Sequence, residues 1–199
     1  MNRSTTWLFT ALAVVCATPC FSAPVQWTVT SGGNGHWYDV ISVGDAVKWD
    51  DARVAAANQS FEGNIGYLVT ITSQAENQFI VSSFGDAIRG VWTGAFQPLG
   101  SVEPAGGWQW ITGEPFVYTN WEVGEPNNSG GAENNMTLAT AGSAPLGVWN
   151  DLNGVNPPAG FVHGYVVEFV PEPSAIVLGA IGAGVLIACG RLSRRRMDR

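Results

Sequence analysis

The three cysteines of this 199-residue chain stand at positions 16, 20 and 189, and the long middle between them has none. No disulfide can therefore staple a domain in that middle, and its order must come from packing or from a bound metal. The chain can supply a core. Hydrophobic residues make up 46% of it and nine are tryptophan, which excludes global disorder and provides large aromatic anchors. Its 25 glycines point to a fold rich in loops. The length suits one ordinary domain.

Charge divides the chain into three. Fourteen of the sixteen acids lie between Pro24 and Val170, where the bases are Lys48, Arg53 and Arg89. So acidic a domain does not bind nucleic acid electrostatically, and the excess favours solubility or divalent cations. Residues 1–23 read as a signal peptide, with Arg3 before the apolar run Trp7 to Ala17. Cleavage is expected at Val15-Cys16-Ala17 or at Ala23, and Val15 before Cys16 argues against a lipoprotein anchor.

At the other end, Pro171-Glu172-Pro173 precedes the uncharged run Ala175 to Cys189, then Arg191, Arg194, Arg195 and Arg196. The run would be about 22 Å long as a helix, short against a ~30 Å hydrocarbon core. Its arginines would stay cytoplasmic and leave the acidic domain outside. This order resembles the PEP-CTERM sorting signal of Gram-negative bacteria. The resemblance implies that residues 170–199 are a transient membrane anchor, cut near Pro171–Pro173 by an exosortase. It also implies release to the cell envelope, surface or matrix.

Residues 24–169 read as one α+β domain. Strands are expected at Gln26–Thr30, His36–Ile41, Gly66–Ile71, Val91–Gly94, Trp108–Ile111, Val148–Asp151 and Tyr165–Phe169. Asp45 is expected to cap a helix reaching about Asn58, with Val47, Ala52, Val54, Ala55 and Ala56 towards its buried side. Ser73-Gln74-Ala75-Glu76 reads as a capping box opening a second helix to about Phe84. Gly124 to Gly131 reads as loop.

Within the loop-rich half, Glu125, Asn127, Glu133, Asn150 and Asp151 combine three carboxylates with two amides. Calcium takes six to eight oxygen ligands in a flexible cage, and these side chains plus a backbone carbonyl approach that number. A solvated loop is the plain alternative. A cis peptide before Pro126 would turn the residues flanking it to one side.

The domain resembles the C-type lectin-like family over roughly His36 to Phe169. The similarity is carried by Trp49-Asp50-Asp51-Ala52, by Tyr67 to Ser73 followed by Glu76-Asn77-Gln78-Phe79, and by Val91-Trp92-Thr93-Gly94. It continues through Trp108-Gln109-Trp110, Gly113, Tyr118-Thr119-Asn120-Trp121, Glu125-Pro126-Asn127, Glu133 and Trp149-Asn150-Asp151. The resemblance implies two helices and short antiparallel sheets with a long calcium-binding loop region. It implies that Glu125, Asn127, Glu133, Asn150 and Asp151 hold one Ca2+ and bind two vicinal sugar hydroxyls, as in mannose- or glucose-type glycans or exopolysaccharide. Asn128 and Asn134 stand where the family's second calcium site uses acids, so a single calcium is expected. The family's four usual cysteines are absent, and the loop from Phe96 to Gly107 is long for the family.

An enzyme finds little support. There is no G-x-S-x-G elbow and no cysteine nucleophile in the domain. The carboxylates Glu125, Glu133 and Asp151 would be poor general acids beside a cation that lowers their pKa. Trp49, Trp92, Trp110 and Trp149 are expected in the core. Trp108 and Trp121 are expected there too, with sugar stacking as the alternative. Asp50 and Asp51 read as a solvated face, and His36 and His163 as isolated. Glu168 is a minor candidate for a peripheral ion site. The expected function is calcium-dependent carbohydrate binding by an exported domain. The alternative is a protein-binding or structural matrix domain in which calcium only orders the loops.

Overall fold

A computed structural model describes residues 23–44, 46–139 and 144–171. In chain order its elements are β1 (Val25–Gln26), β2 (Trp37–Ser42), α1 (Trp49–Ala57), β3 (Ser60–Phe61), β4 (Asn64–Leu68), α2 (Gln74–Phe84) and β5 (Val91–Phe96). They are followed by β6 (Gln109–Trp110), β7 (Asn135–Leu138), β8 (Trp149–Leu152) and β9 (Gly164–Phe169). The α+β expectation holds, and the strands join in one mixed sheet.

β9 organises that sheet. It pairs antiparallel with β2 from Trp37–Phe169 to Ser42–Gly164, which brings the start and end of the domain together. Its other edge is shared. Near its end it takes β4 antiparallel, Gly66 opposite Phe169. At its start it takes β5 in parallel, Val91 opposite Gly164. β5 leads on to β7 and β7 to β8, while β6 joins the end of β5. Gly164 is required where the strands crowd, because a Cβ there would overlap the Ile41 carbonyl.

Alternation along β9 builds two cores. Val166 packs with Tyr38, Val69, Ile80, Met136 and Trp149 on one face. Val167 and Phe169 pack with Trp49, Ala52, Ala56, Leu68 and Trp92 on the other. The tryptophans carry polar anchors into both layers. Trp49 Nε1 donates to the Thr93 carbonyl at 2.8 Å, Trp92 Nε1 to the Val47 carbonyl at 2.7 Å, and Trp149 Nε1 to Asn77 Oδ1 at 3.0 Å. Trp49, Trp92, Trp110 and Trp149 are all buried, as expected. Trp108 is buried against Trp121, their ring centroids 4.8 Å apart.

Several local expectations are corrected. The strand expected at Gln26–Thr30 stops at Gln26, and the chain turns through a 3-10 segment at Val29–Ser31. Asp45 lies outside the described residues, and α1 starts at Trp49 because Ala46 has a left-handed φ of 57° that no helix can carry. Val54 is half exposed, while Ala52 and Ala56 make the buried contact. The strand expected to reach Ile71 leaves the ladder after Leu68, although Val69, Thr70 and Ile71 stay buried. β7, Asn135–Leu138, is a strand missing from the expected set, although polar and apolar residues alternate along its four positions. The sheets are not purely antiparallel, because β5 runs alongside β9.

The capping box forms by half. Ser73 Oγ accepts from the Glu76 N–H at 3.2 Å. The Glu76 carboxylate is buried and accepts from the Thr72 N–H at 2.8 Å and from the Tyr38 hydroxyl at 2.7 Å. A bonding network therefore replaces the reciprocal cap.

His36 is not isolated. Its Nδ1 lies 2.6 Å from Oε1 of Glu168, which is 2% exposed and also accepts from the Thr70 N–H at 3.0 Å. Burial pushes the Glu168 carboxyl up to about 7, and His36 and Thr70 offset this only in part. Burial alone would lower the His36 imidazole, but the hydrogen bond and charge of Glu168, with the charges of Glu76 and Glu114, raise it. Both groups hold protons more tightly folded than unfolded. Their contribution to stability is complete below the unfolded values and is lost as pH rises through the folded ones. The wild type should lose on the order of 2 kcal/mol of unfolding free energy between pH 5 and pH 8 through this pair. Urea titrations with Glu168→Gln alongside test this, since that variant removes the buried carboxyl and the partner that raises His36, and an identical pH slope in the variant would remove the pair as its source.

Candidate functional site

The site is assembled where the long loop after Trp121 lies on β8. Register comes first. β8 pairs with β7, Met136 opposite Asp151 and Thr137 opposite Asn150. A bridge between Trp121 and Trp149 carries the incoming chain alongside. The Glu122 N–H then donates to the Trp149 carbonyl at 2.8 Å, and a turn follows with the Glu125 N–H on the Glu122 carbonyl at 2.9 Å. The Glu125–Pro126 bond is cis.

Asp151 clamps that loop. It is completely buried, and its two oxygens accept from consecutive backbone N–H groups: Oδ1 from Asn127 at 3.0 Å and Oδ2 from Asn128 at 2.8 Å. Asn128 then takes the left-handed region at φ 49°, a conformation asparagine tolerates better than most residues. Its Oδ1 accepts from the Glu133 N–H at 3.0 Å, and Glu133 Oε2 accepts from the Ser129 N–H at 2.7 Å. Two crossed side-chain bonds thus close the loop from Asn128 to Glu133.

Two buried acceptors at this place have no partner, Glu125 Oε2 and Asn150 Oδ1. Leaving such atoms unpaired costs on the order of 1–3 kcal/mol each. The carboxylates also crowd one another. Burial, then a hydrogen bond and repulsion from Asp151, then the charge of Glu133 raise Glu125 to about 7, with Asn127 lowering it. Burial and Asp151 raise Glu133 as well, against the bond from Ser129. None of the salt bridges among the described residues involves Glu125, Glu133 or Asp151. Acceptor oxygens without donors and carboxylates without a counter-charge form a donor set that suits a hard cation.

The five expected residues are not an equal set. Glu125, Asn127 and Asp151 interact directly, and Glu133 acts on Glu125 through charge. Asn150 precedes Asp151 on β8, with its Oδ1 buried. Among the described residues, no three His, Cys, Asp or Glu side chains converge enough to hold a metal by themselves. Asn128, notable in the sequence only for its neutrality, proves to be the loop's internal tie. Pro171 is exposed, while Glu172, Pro173 and the apolar run after them lie outside the described residues. Among the described residues, no helix is long and apolar enough to cross a membrane.

A mixed sheet joining both ends of the domain, two helices and a long acidic loop clamped by a Trp-Asn-Asp strand define a C-type lectin-like domain. The profile of the family described as Lectin C-type domain matches residues 45–157, and the chain belongs to that family. Lithostathine-1 of Mus musculus is 36% identical over 88 residues, 43% of this chain and 48% of the relative. Halomucin of Haloquadratum walsbyi is 35% identical over 114 residues, 51% of this chain and 1% of the relative. The chain thus spans about half or much less of these relatives. Among solved structures, the cow C-type carbohydrate-recognition domain of CD23, determined in the presence of a GlcNAc2Man3 oligosaccharide, is 27% identical. Its TM-score is 0.54, and the match covers 77% of this chain and all of that one. The C-type lectin CEL-I of Cucumaria echinata, 21% identical with a TM-score of 0.54 over 69% of this chain and 91% of its own, shares the fold.

The clamp is open to a direct test. Asp151→Asn turns one acceptor into an N–H facing a backbone N–H, leaving a buried donor unpaired. It should lower unfolding free energy by about 1–3 kcal/mol in urea titration. A loss under about 0.5 kcal/mol would show that Asp151 does not hold the loop.

Proposed function

We propose that this domain is a calcium-dependent carbohydrate-binding module of the mannose/glucose or exopolysaccharide class. The observation that carries the reading is the pair of buried, unpartnered oxygens, Glu125 Oε2 and Asn150 Oδ1, beside the clamped Asp151 in a chain of the C-type lectin family. The oligosaccharide present with the CD23 domain supports it by likeness.

Glu125, Asn127, Glu133, Asn150 and Asp151 would hold the ion. Calcium bound there would supply an acceptor for the lone pairs of two vicinal sugar hydroxyls. The protein supplies direction. The carboxylates of Glu125 and Glu133 accept from those hydroxyls, and the amide groups of Asn127 and Asn150 donate to them. Asp151 also keeps Asn127 in place, and each of its oxygens, accepting one backbone N–H, keeps a lone pair for the ion. No bond is broken in this scheme, so the domain binds and does not catalyse.

Calorimetric titration of calcium into chelator-treated protein should show one ion per chain, and mannose- or glucose-type glycosides should bind only with it. Asn127→Asp exchanges a donor for an acceptor and should weaken mannose binding about tenfold or more. Equal retention of wild type and variant on mannose resin would count against the assignment. No calcium uptake at all would sink it.

We also propose that residues 1–23 export the domain and that residues 170–199 are a PEP-CTERM signal processed by an exosortase. The domain, residues 24–169, then reaches the cell envelope or matrix. The acidic middle and the arginine-ended apolar tail support this. The intact mass of the mature protein should end near Pro171–Pro173, and a mass retaining Arg191 to Arg199 would reject processing.

A further inference from the structure

We propose that the cleft between the Gln97–Gly107 loop and the Asn128–Asn134 loop is a second subsite for a neutral sugar ring, so that the domain reads an oligosaccharide and not a single residue. The proposal rests on the carbohydrate-binding reading above and names what lies next to the first ring.

The cleft encloses about 430 Å³ and is lined by Gln97, Leu99, Ser101, Glu103, Asn128 and Asn134 among others. Its walls are tied together. The Gln97 N–H donates to the Asn134 carbonyl at 2.8 Å, and Asn134 Nδ2 donates to Glu103 Oε1 at 3.2 Å. Ser101 Oγ donates to the Pro98 carbonyl at 2.8 Å. Gln97 fixes the loop from inside, with Nε2 donating to the carbonyls of Pro104 at 2.9 Å and Gly106 at 2.8 Å.

That pair of bonds settles which end of the Gln97 amide is oxygen, because two carbonyls require the NH2 group. The side chain is only 5% exposed, and Oε1 is left without a partner. A buried acceptor held in one orientation calls for a donor from outside. Glu103 supplies a second acceptor at the opening, and Leu99 stands fully in solvent on the rim. Hydroxyls on one edge and an apolar C–H face are the chemistry of a pyranose ring. A cation suits the cleft less well, since one carboxylate among neutral amides falls short of a calcium cage.

Position links the cleft to the first site. Asn128 follows Asn127 and Asn134 follows Glu133, so successive residues about 3.8 Å apart along one loop serve the two places. Asn128 touches both, lining the cleft while its Oδ1 accepts from the Glu133 N–H at 3.0 Å. A ring bound at Glu125 and Asn127 would therefore extend its chain towards Gln97.

Calorimetry on calcium-loaded protein decides the matter, using methyl glycosides of mannose and glucose and the corresponding trisaccharides. The trisaccharide of the preferred sugar should bind about tenfold tighter than its methyl glycoside. The exposed-residue variant Leu99→Ser with Glu103→Ala should reduce that advantage to within threefold, leaving monosaccharide affinity and one calcium per chain unchanged. Mono- and trisaccharide affinities within threefold in the wild type would overturn the subsite, as would an advantage that persists in the variant. A second calcium lost with Glu103→Ala would reassign the cleft to a cation. If one calcium binds but no glycoside or trisaccharide does, the carbohydrate reading itself fails and the subsite falls with it.

Discussion

The fold depends on the pairing of β2 with β9. Without a disulfide, something else must join the ends of a chain whose second half is mostly loop, and this six-residue antiparallel ladder does it. β9 can serve because every one of its residues is buried and its two faces feed separate cores. The cost of so central a strand is visible at Glu168. A carboxylate in the middle of it is tolerated only because His36 and the Thr70 N–H meet it from neighbouring segments. Structure and charge are settled at the same rung.

The loop from Glu122 to Glu133 uses the same strategy with a different outcome. Asp151 sits on a regular strand, where its position is fixed by pairing with β7, and from there it fixes a loop that has no ladder of its own. The loop's irregular backbone is thus determined by side chains and not by repetition. Charge is gathered around it with no basic partner among the described salt bridges, and the protein leaves acceptors without donors there. Rigid support behind and unmet valence in front are what the proposed site for an ion and a polyol requires.

Much of this was legible in the sequence. The helix Gln74–Phe84 was marked by its Ser73 cap, and the tryptophans marked the core because a residue so large has few other places to go. The five candidate residues were named from their chemical types and their likeness to a known motif, and Glu125, Asn127 and Asp151 meet in the structure. The rest was not written locally. Ala46 ends any helix from Asp45 by its backbone angle, which an alanine does not announce. β7 alternates over only four residues, and it is a strand because β5 and β8 hold it on both sides. Gln97 gave no signal, since an amide in a loop acquires meaning only when its donors are seen spent and its oxygen alone. His36 and Glu168 lie 132 residues apart, beyond any spacing rule.

The register at the ends of the sheet has a mechanical consequence. β1 and β9 both run antiparallel to β2 and are therefore parallel to each other, so the chain enters β1 at Val25, opposite Tyr38, and leaves β9 at Phe169, opposite Trp37, in opposite directions. Tension applied between the two ends would first pull β1 along its own axis and load its bonds to β2 in shear. That stage is short, because β1 has only two residues. Once β1 is free, force enters β2 at Trp37, beside Phe169, and peels the β2–β9 ladder open one rung at a time.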